Sequence, residues 1–187
     1  MAEVLTFTSA EFPESLKWQA ISFLRVQWPD GFTGENRLRD WVTRDDAHPI
    51  YIVLVEGDIL ISHTNVVWKY LDHGGEIYKA YGLTGVFTFP SFRGQGYGSQ
   101  VIAAGTTYIR RTDADIAMLY CDANLRNLYA KQGWASMDAS VSYIGTKEEP
   151  ELVEDEILMM LFLSSKGHQG KAAFETKPIH FGGDHTW

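Results

Sequence analysis

Gly85-Val86-Phe87-Thr88-Phe89-Pro90, followed at once by Ser91-Phe92-Arg93-Gly94-Gln95-Gly96-Tyr97-Gly98-Ser99, carries the strongest local signals in the chain. The β-branched and aromatic residues from Val86 to Phe89 predict a strand, and Pro90, which has no N–H to donate, ends its ladder. Beyond the glycines, Tyr97, Val101 and Tyr108, with Ile102 and Ile109, fall near helical spacing and predict a helix that starts within the turn. Three interleaved glycines cost backbone entropy that a plain turn rarely spends. Such a turn aims several main-chain N–H groups into one space at a helix N-terminus, where unpaired donors and the helix dipole together favour a phosphate.

Working outward, Tyr81 to Trp134 reads as strand, turn, helix, strand and helix, with Ile116 to Asp122 as the second strand. Asn124 to Gln132 forms the second helix and Gly133 takes its C′ position. Upstream, Val4 to Thr8 alternates as a strand, and Ser9 offers an N-cap to a helix carrying Phe12, Leu16, Ile21 and Leu24. Trp28-Pro29-Asp30-Gly31 closes that helix and opens a polar loop, with a short helix predicted over Leu38 to Val42. Pro49 to Val55 and Ile59 to Tyr70 form a hairpin around Glu56-Gly57-Asp58, and the region Glu76 to Phe89 is a long strand. Downstream, Ala135 to Ile144 and Glu156 to Leu163 suit two more strands, and Ala173 to Ile179 suits sheet pairing. With no repeat or linker, residues 1–187 read as a single domain in the mixed α+β (α/β) class.

The 187 residues are 45% hydrophobic, enough for a real core. A net charge of −8 argues against nucleic acid, which needs clustered Lys and Arg, and mildly favours cationic small substrates. Cys121 is the only cysteine, so an internal disulfide and a multi-cysteine metal site are excluded and a cytoplasmic location is expected. His168, His180 and His185 lack metal-ligand spacing, and no apolar run reaches the length of a membrane span.

A P-loop requires Lys-Ser/Thr after its last glycine, and Ser99-Gln100 follows Gly98, which rules it out. A dinucleotide fingerprint finds Ser99 at its third glycine, although Asp122 stays available as a ribose-binding acid. Val86 to Ser99 instead resembles the acetyl-CoA signature of the Gcn5-related N-acetyltransferase (GNAT) superfamily, a strand followed by Arg/Gln-x-x-Gly-x-Gly/Ala, here Arg93, Gly96 and Gly98. A second signature, Tyr followed after three residues by Gly-aromatic, is matched by Tyr129 with Gly133 and Trp134. The two with their spacing span about a third of the chain, and together they are specific where neither alone would be.

The resemblance implies a three-layer fold with a central splayed mixed sheet of about six to seven strands flanked by helices. It implies acetyl-CoA as co-substrate, its pantetheine arm on the strand Val86, Phe87 and Thr88, and its pyrophosphate on the turn from Arg93 through Gly94, Gln95, Gly96, Tyr97 and Gly98 to Ser99. Arg93 adds a charge-assisted contact or stays solvated beside the turn. Asn124 reaches the cofactor or caps its helix. Relatives in this family are often dimers, so a homodimer is an option.

Acetyl transfer from sulfur to an amine expels a thiolate, which a phenol can protonate; Tyr129 is the candidate, since a phenol of pKa about 10 keeps its proton at neutral pH. Packing beside Leu125 and Leu128 is the alternative use of Tyr129. The amine must lose a proton, and Glu76, Thr84 through a water, Asp122 and the Trp187 carboxylate are the candidate acceptors. The ending Gly182-Gly183-Asp184-His185-Thr186-Trp187, with the early loop Asp30-Gly31-Phe32-Thr33, is similar to the aminoglycoside 2′-N-acetyltransferases. By that likeness Asp30, Asp184 and Trp187 bind a polyamine-like acceptor beneath a tail, residues 164–187, although Thr84 stands where those enzymes carry Glu. The expected activity is N-acetylation of a primary amine on a small cationic molecule by direct attack. A non-catalytic acyl-CoA-binding or regulatory module on the same fold is the alternative.

Overall fold

The computed structural model describes residues 1–146, 148–154 and 156–181. Asp184 and Trp187, both expected at an acceptor site, lie outside the described residues. Among the described residues, seven strands hydrogen-bond in the order Glu3–Thr8, Ile50–Glu56, Ile59–His73, Glu76–Thr88, Ile116–Cys121, Ile157–Phe162 and Ala135–Ser136, and Ile179–His180, Ser142–Gly145 and Pro150–Leu152 form a second, small ladder. This is the mixed α/β architecture expected from the sequence. The chain divides into two compact units, residues 1–67 with 83–105 and residues 68–82 with 106–187.

In the first unit, β1 (Glu3–Thr8) runs antiparallel to β2 (Ile50–Glu56), which pairs with β3 (Ile59–His73) across the predicted hairpin turn. The β2–β3 register passes from Leu54↔Ser62 to Val55↔Leu60, so Ile61 is an extra residue, a bulge that resets which side chains face which side. Helix α1 (Glu14–Gln27) buries Leu16, Ala20, Ile21, Phe23 and Leu24 in a cluster with Tyr51, Val53, Leu60 and Phe87. Helix α2 (Tyr97–Arg110) places Val101 with Leu54 and Ile61 in a second cluster. At Gly105 a Cβ would come within 2.7 Å of Leu83 and also meet Thr64 and Ile52, so this mid-helix glycine, expected to cost about 1 kcal/mol, allows close helix–sheet packing. The helix predicted over Leu38 to Val42 does not form. A 3-10 turn covers Gly34–Leu38, and the next residues are held from outside, with the Arg39 guanidinium 4.0 Å over Phe32 and 4.4 Å over Trp41.

In the second unit, β4 (Glu76–Thr88) pairs in parallel with β5 (Ile116–Cys121) over Ala80–Gly82. Antiparallel to β5 runs β9 (Ile157–Phe162), which also holds the two-residue β6 (Ala135–Ser136). The strand predicted over Ala135 to Ile144 is therefore two. A turn closed by Ser140 N–H on Met137 O separates β6 from β7 (Ser142–Gly145), which pairs with β8 (Pro150–Leu152) and β10 (Ile179–His180). The larger correction is α4 (Ser165–Thr176): of the sheet pairing expected over Ala173 to Ile179, Ile179 alone pairs, in β10, and Ala173 to Thr176 are helical. Ser164 caps it by accepting from Gly167 N–H at 3.0 Å while donating to Asp115 Oδ1 at 2.6 Å. Phe174, fully buried, stacks on His73 at 4.1 Å and meets the Tyr78 ring edge-on at 5.1 Å. Among the described residues no helix is long and apolar enough to cross a membrane.

Candidate functional site

In the first unit, β4 ends at Thr88 and a 3-10 turn over Pro90–Phe92 leads into the glycines. Phe89 N–H donates to Ile61 O at 3.0 Å, and Arg93 Nε donates to Thr88 O at 2.9 Å, so the guanidinium braces the strand end from outside. Gly94 has φ +77° and Gly96 φ +79°, left-handed values that cost other residues about 1–2 kcal/mol. A Cβ on either would meet nothing within 4 Å, so the turn is open on that side. Among the described residues, no amide from Gly94 to Ser99 makes a backbone hydrogen bond outside the helix ladder, whereas Arg93 N–H is spent on Pro90 O and Gln100 N–H on Gly96 O. The first amides of α2 are also without intrahelical partners. Several unspent donors at the positive end of a 14-residue helix fit a diphosphate.

The strand before the turn divides its residues. Phe87 faces inward, stacked at 4.3 Å on Phe23 and at 4.9 Å on His63, so only its main chain could meet a cofactor. Thr84, Val86 and Thr88 are half-buried. Gly85 has φ +58°, a kink in the middle of β4, and a Cβ there would come within 3.3 Å of Asn65 Nδ2.

Sequence reasoning missed the residues that hold this kink. Ser62, His63, Thr64 and Asn65 are all buried in the middle of β3. Ser62 Oγ donates to Phe87 O at 2.8 Å and meets Thr88 Oγ1 at 2.8 Å, His63 Nδ1 meets Gly85 O at 2.8 Å, and Thr64 Oγ1 donates to Thr84 O at 3.3 Å. A carbonyl only accepts, so the proton sits on His63 Nδ1. Burial pushes His63 down to about 4, against the opposing bond to Gly85 O, and its Nε2 is buried without a partner among the described residues. The available signal was four consecutive polar residues between Ile61 and Val66 in a strand that otherwise reads as core.

On the same unit, a cavity of about 690 Å³ opens between the start of α1 and the loop before β2. Asp40, Trp41, Thr43, Arg44, Asp45 and Tyr51 line it. Asp45 accepts from Ser9 Oγ at 2.6 Å and Asp46 pairs with Arg44 at 3.0 Å, and Asp40 adds a third carboxylate to that wall. Asp30, expected at the acceptor, is exposed in a 3-10 turn over Pro29–Phe32 and does not line the cavity.

In the second unit, a 3-10 turn over Ala123–Leu125 leads into α3 (Arg126–Ala130), one turn of helix that carries Tyr129. Asp122 occupies the cap position, so Asn124 is not the cap; it is exposed within the turn. The helix ends at Ala130 with Lys131 as its cap, so Gly133, at φ +87°, lies one residue beyond the C′ position expected for it, and Gln132 N–H donates to Tyr129 O at 2.9 Å. Trp134 Nε1 donates to the buried Thr106 Oγ1 at 2.9 Å, which anchors the residue after that glycine. Tyr129 is 4% exposed; burial, then the charges at Cys121 and Asp122, pushes its phenol above the ordinary range. It therefore stays a hydrogen-bond donor throughout the neutral range. Burial likewise pushes the Cys121 thiol up to about 11, so little thiolate forms near neutrality.

Comparison with protein families matches residues 3–137 to the family described as Acetyltransferase (GNAT) domain, well over half of the chain. The chain belongs to the GNAT acetyltransferase family. Members of this family use acetyl-CoA. Solved structures with the same fold include Escherichia coli ElaA, with TM-score 0.58 and 16% identity over 84% of this chain and 98% of that one. A GNAT family acetyltransferase from Brucella melitensis in complex with acetyl-CoA has TM-score 0.55 and 16% identity, covering 88% of this chain and 89% of that one. The GCN5-related N-acetyltransferase from Kribbella flavida has TM-score 0.54 and 20% identity over 73% of this chain, which spans 34% of that one. At these identities the likeness is one of fold. No curated protein matches the sequence.

Proposed function

We propose that this GNAT protein transfers acetyl from acetyl-CoA to the primary amine of a small cationic acceptor by direct attack. The observation that carries the proposal is the turn Gly94 to Ser99, left-handed at two glycines, open on its outer side and rich in uncommitted amides. Acetyl-CoA brings the diphosphate that such a turn grips and the thioester that is cleaved. The amine nitrogen forms a bond to the thioester carbonyl carbon, the carbon–sulfur bond breaks, and the electron pair leaves on sulfur.

In this proposal Tyr129 gives its proton to the departing thiolate; burial keeps the phenol protonated at neutral pH, so the proton is present to be given. Thr84 holds a water that takes the proton from the amine, and Asn124 and Arg93 add polar contacts to the cofactor. Asp30, Asp184 and Trp187 belong to acceptor recognition, to which the cavity beside Asp40 and Trp41 adds a second acidic and aromatic wall. A buried thiol of raised pKa makes Cys121 a poor relay, which favours direct attack over an acetyl-cysteine intermediate.

The test couples thermal shift with acetyl-CoA to release of free CoA across an amine panel that includes aminoglycosides and polyamines. Stabilisation by acetyl-CoA and turnover with at least one cationic amine are expected. Stabilisation with no turnover on any amine identifies an acyl-CoA-binding module, and stabilisation by NADH in place of acetyl-CoA overturns the assignment.

A further inference from the structure

Three successive side chains of β3 bond to main-chain oxygens of β4: Thr64 to Thr84 O, His63 to Gly85 O and Ser62 to Phe87 O. These bonds span the segment that is kinked at Gly85, with φ +58°. The bulge at Ile61 resets the alternation ahead of Ser62, and the Ile61 carbonyl itself takes Phe89 N–H. All three side chains are essentially without solvent exposure, so each hydrogen bond acts away from competing water. His63 is further wedged by rings, 4.9 Å from Phe87, 6.2 Å from Tyr51 and 6.5 Å from Phe12. The remaining polar group of the set, Asn65, donates to Thr43 Oγ1 at 2.6 Å and so ties the same strand to the wall of the cavity beside Tyr51.

A kinked strand whose carbonyls are bonded from behind by side chains has one main-chain path instead of several. We propose that Ser62, His63 and Thr64 are positioning residues for the thioester-bearing arm of acetyl-CoA, because they fix the main chain of Thr84 to Thr88 along which that arm lies. This inference rests on the acetyl-CoA reading above and deepens it. The turn Gly94 to Ser99 shares none of these bonds, so the two halves of the cofactor depend on different residues.

Calorimetric titration with two ligands separates them: acetyl-CoA, which spans strand and turn, and adenosine 3′,5′-bisphosphate, which lacks the arm. In His63→Phe, which keeps a ring but has no donor for Gly85 O, acetyl-CoA is expected to bind about tenfold more weakly, the scale of one lost hydrogen bond. The bisphosphate is expected to bind within about twofold of wild type, and His63→Gln, which restores a donor, to recover part of the loss. Should His63→Phe fail to fold, the Ser62→Ala, Thr64→Val pair carries the same expectation. Equal weakening of both ligands, or unchanged binding of both, overturns the positioning role. Wild-type protein that binds neither ligand overturns the acetyl-CoA reading itself, and this proposal with it.

Discussion

At the scale of single residues, conformation and burial set the expectations. Gly96→Ala places a Cβ in open space at φ +79°, so the cost is backbone strain alone, about 1–2 kcal/mol, and the melting temperature should fall by a few degrees. Tyr129→Phe should leave acetyl-CoA affinity unchanged and lower kcat by about 10²–10⁴-fold, the range of a lost general acid. Because burial raises the Tyr129 phenol, wild-type kcat should show no loss from phenol ionisation up to about pH 10. His63 makes a stability prediction. Its folded value is near 4 against 6.5 in the open chain, so the unfolded state binds the extra proton between those values. The contribution is complete above pH 6.5 and falls by about 3 kcal/mol as pH drops to 4, and a series of denaturant melts should show this slope in wild type and not in His63→Phe. The glycines were legible in the sequence because a left-handed φ selects for glycine. Ser62, His63 and Thr64 were not, because their partners are carbonyl oxygens, which every residue carries alike.

At the scale of elements, periodicity located α1, α2, β2, β3 and β4 to within a few residues, because each buries a continuous face. It failed where an element is held by specific partners. Helix α4 contains Gly167 and Gly170, poor helix formers, and its buried apolar anchor is Phe174. Both glycines are explained by contact: a Cβ at Gly167 would run into Asp115 O, and one at Gly170 into the Tyr78 hydroxyl. The cap at Ser164 and the carboxylate of Asp115, which also accepts Lys79 N–H at 3.0 Å, fix where the helix begins. Ser164→Ala should therefore cost about 1 kcal/mol in chemical denaturation, and Gly170→Ala should cost more despite its better helix propensity. The failed prediction over Leu38 to Val42 has the same origin: Arg39, stacked between Phe32 and Trp41 and donating to Gly31 O at 3.3 Å, holds the segment in place of helical bonds.

For the molecule as a whole, the family match covers residues 3–137. The two signatures lie inside it; beyond it β9 was predicted to within a residue at each end, whereas β7, β8, β10 and α4 were the least legible. The net charge of −8 acts at this scale too. If the acceptor is a polyamine-like cation, its KM should rise as salt is raised from about 0.05 to 0.5 M, because screening weakens long-range attraction, while KM for acetyl-CoA should not rise in parallel.

The seclusion of Cys121 has a practical corollary. The only sulfhydryl of the chain is 4% exposed and, with its pKa near 11, scarcely ionised at pH 8. A disulfide dye such as Ellman's reagent should therefore leave the folded protein almost uncoloured. Yellow colour appearing during turnover would report liberated coenzyme A continuously, with the enzyme itself as a silent background.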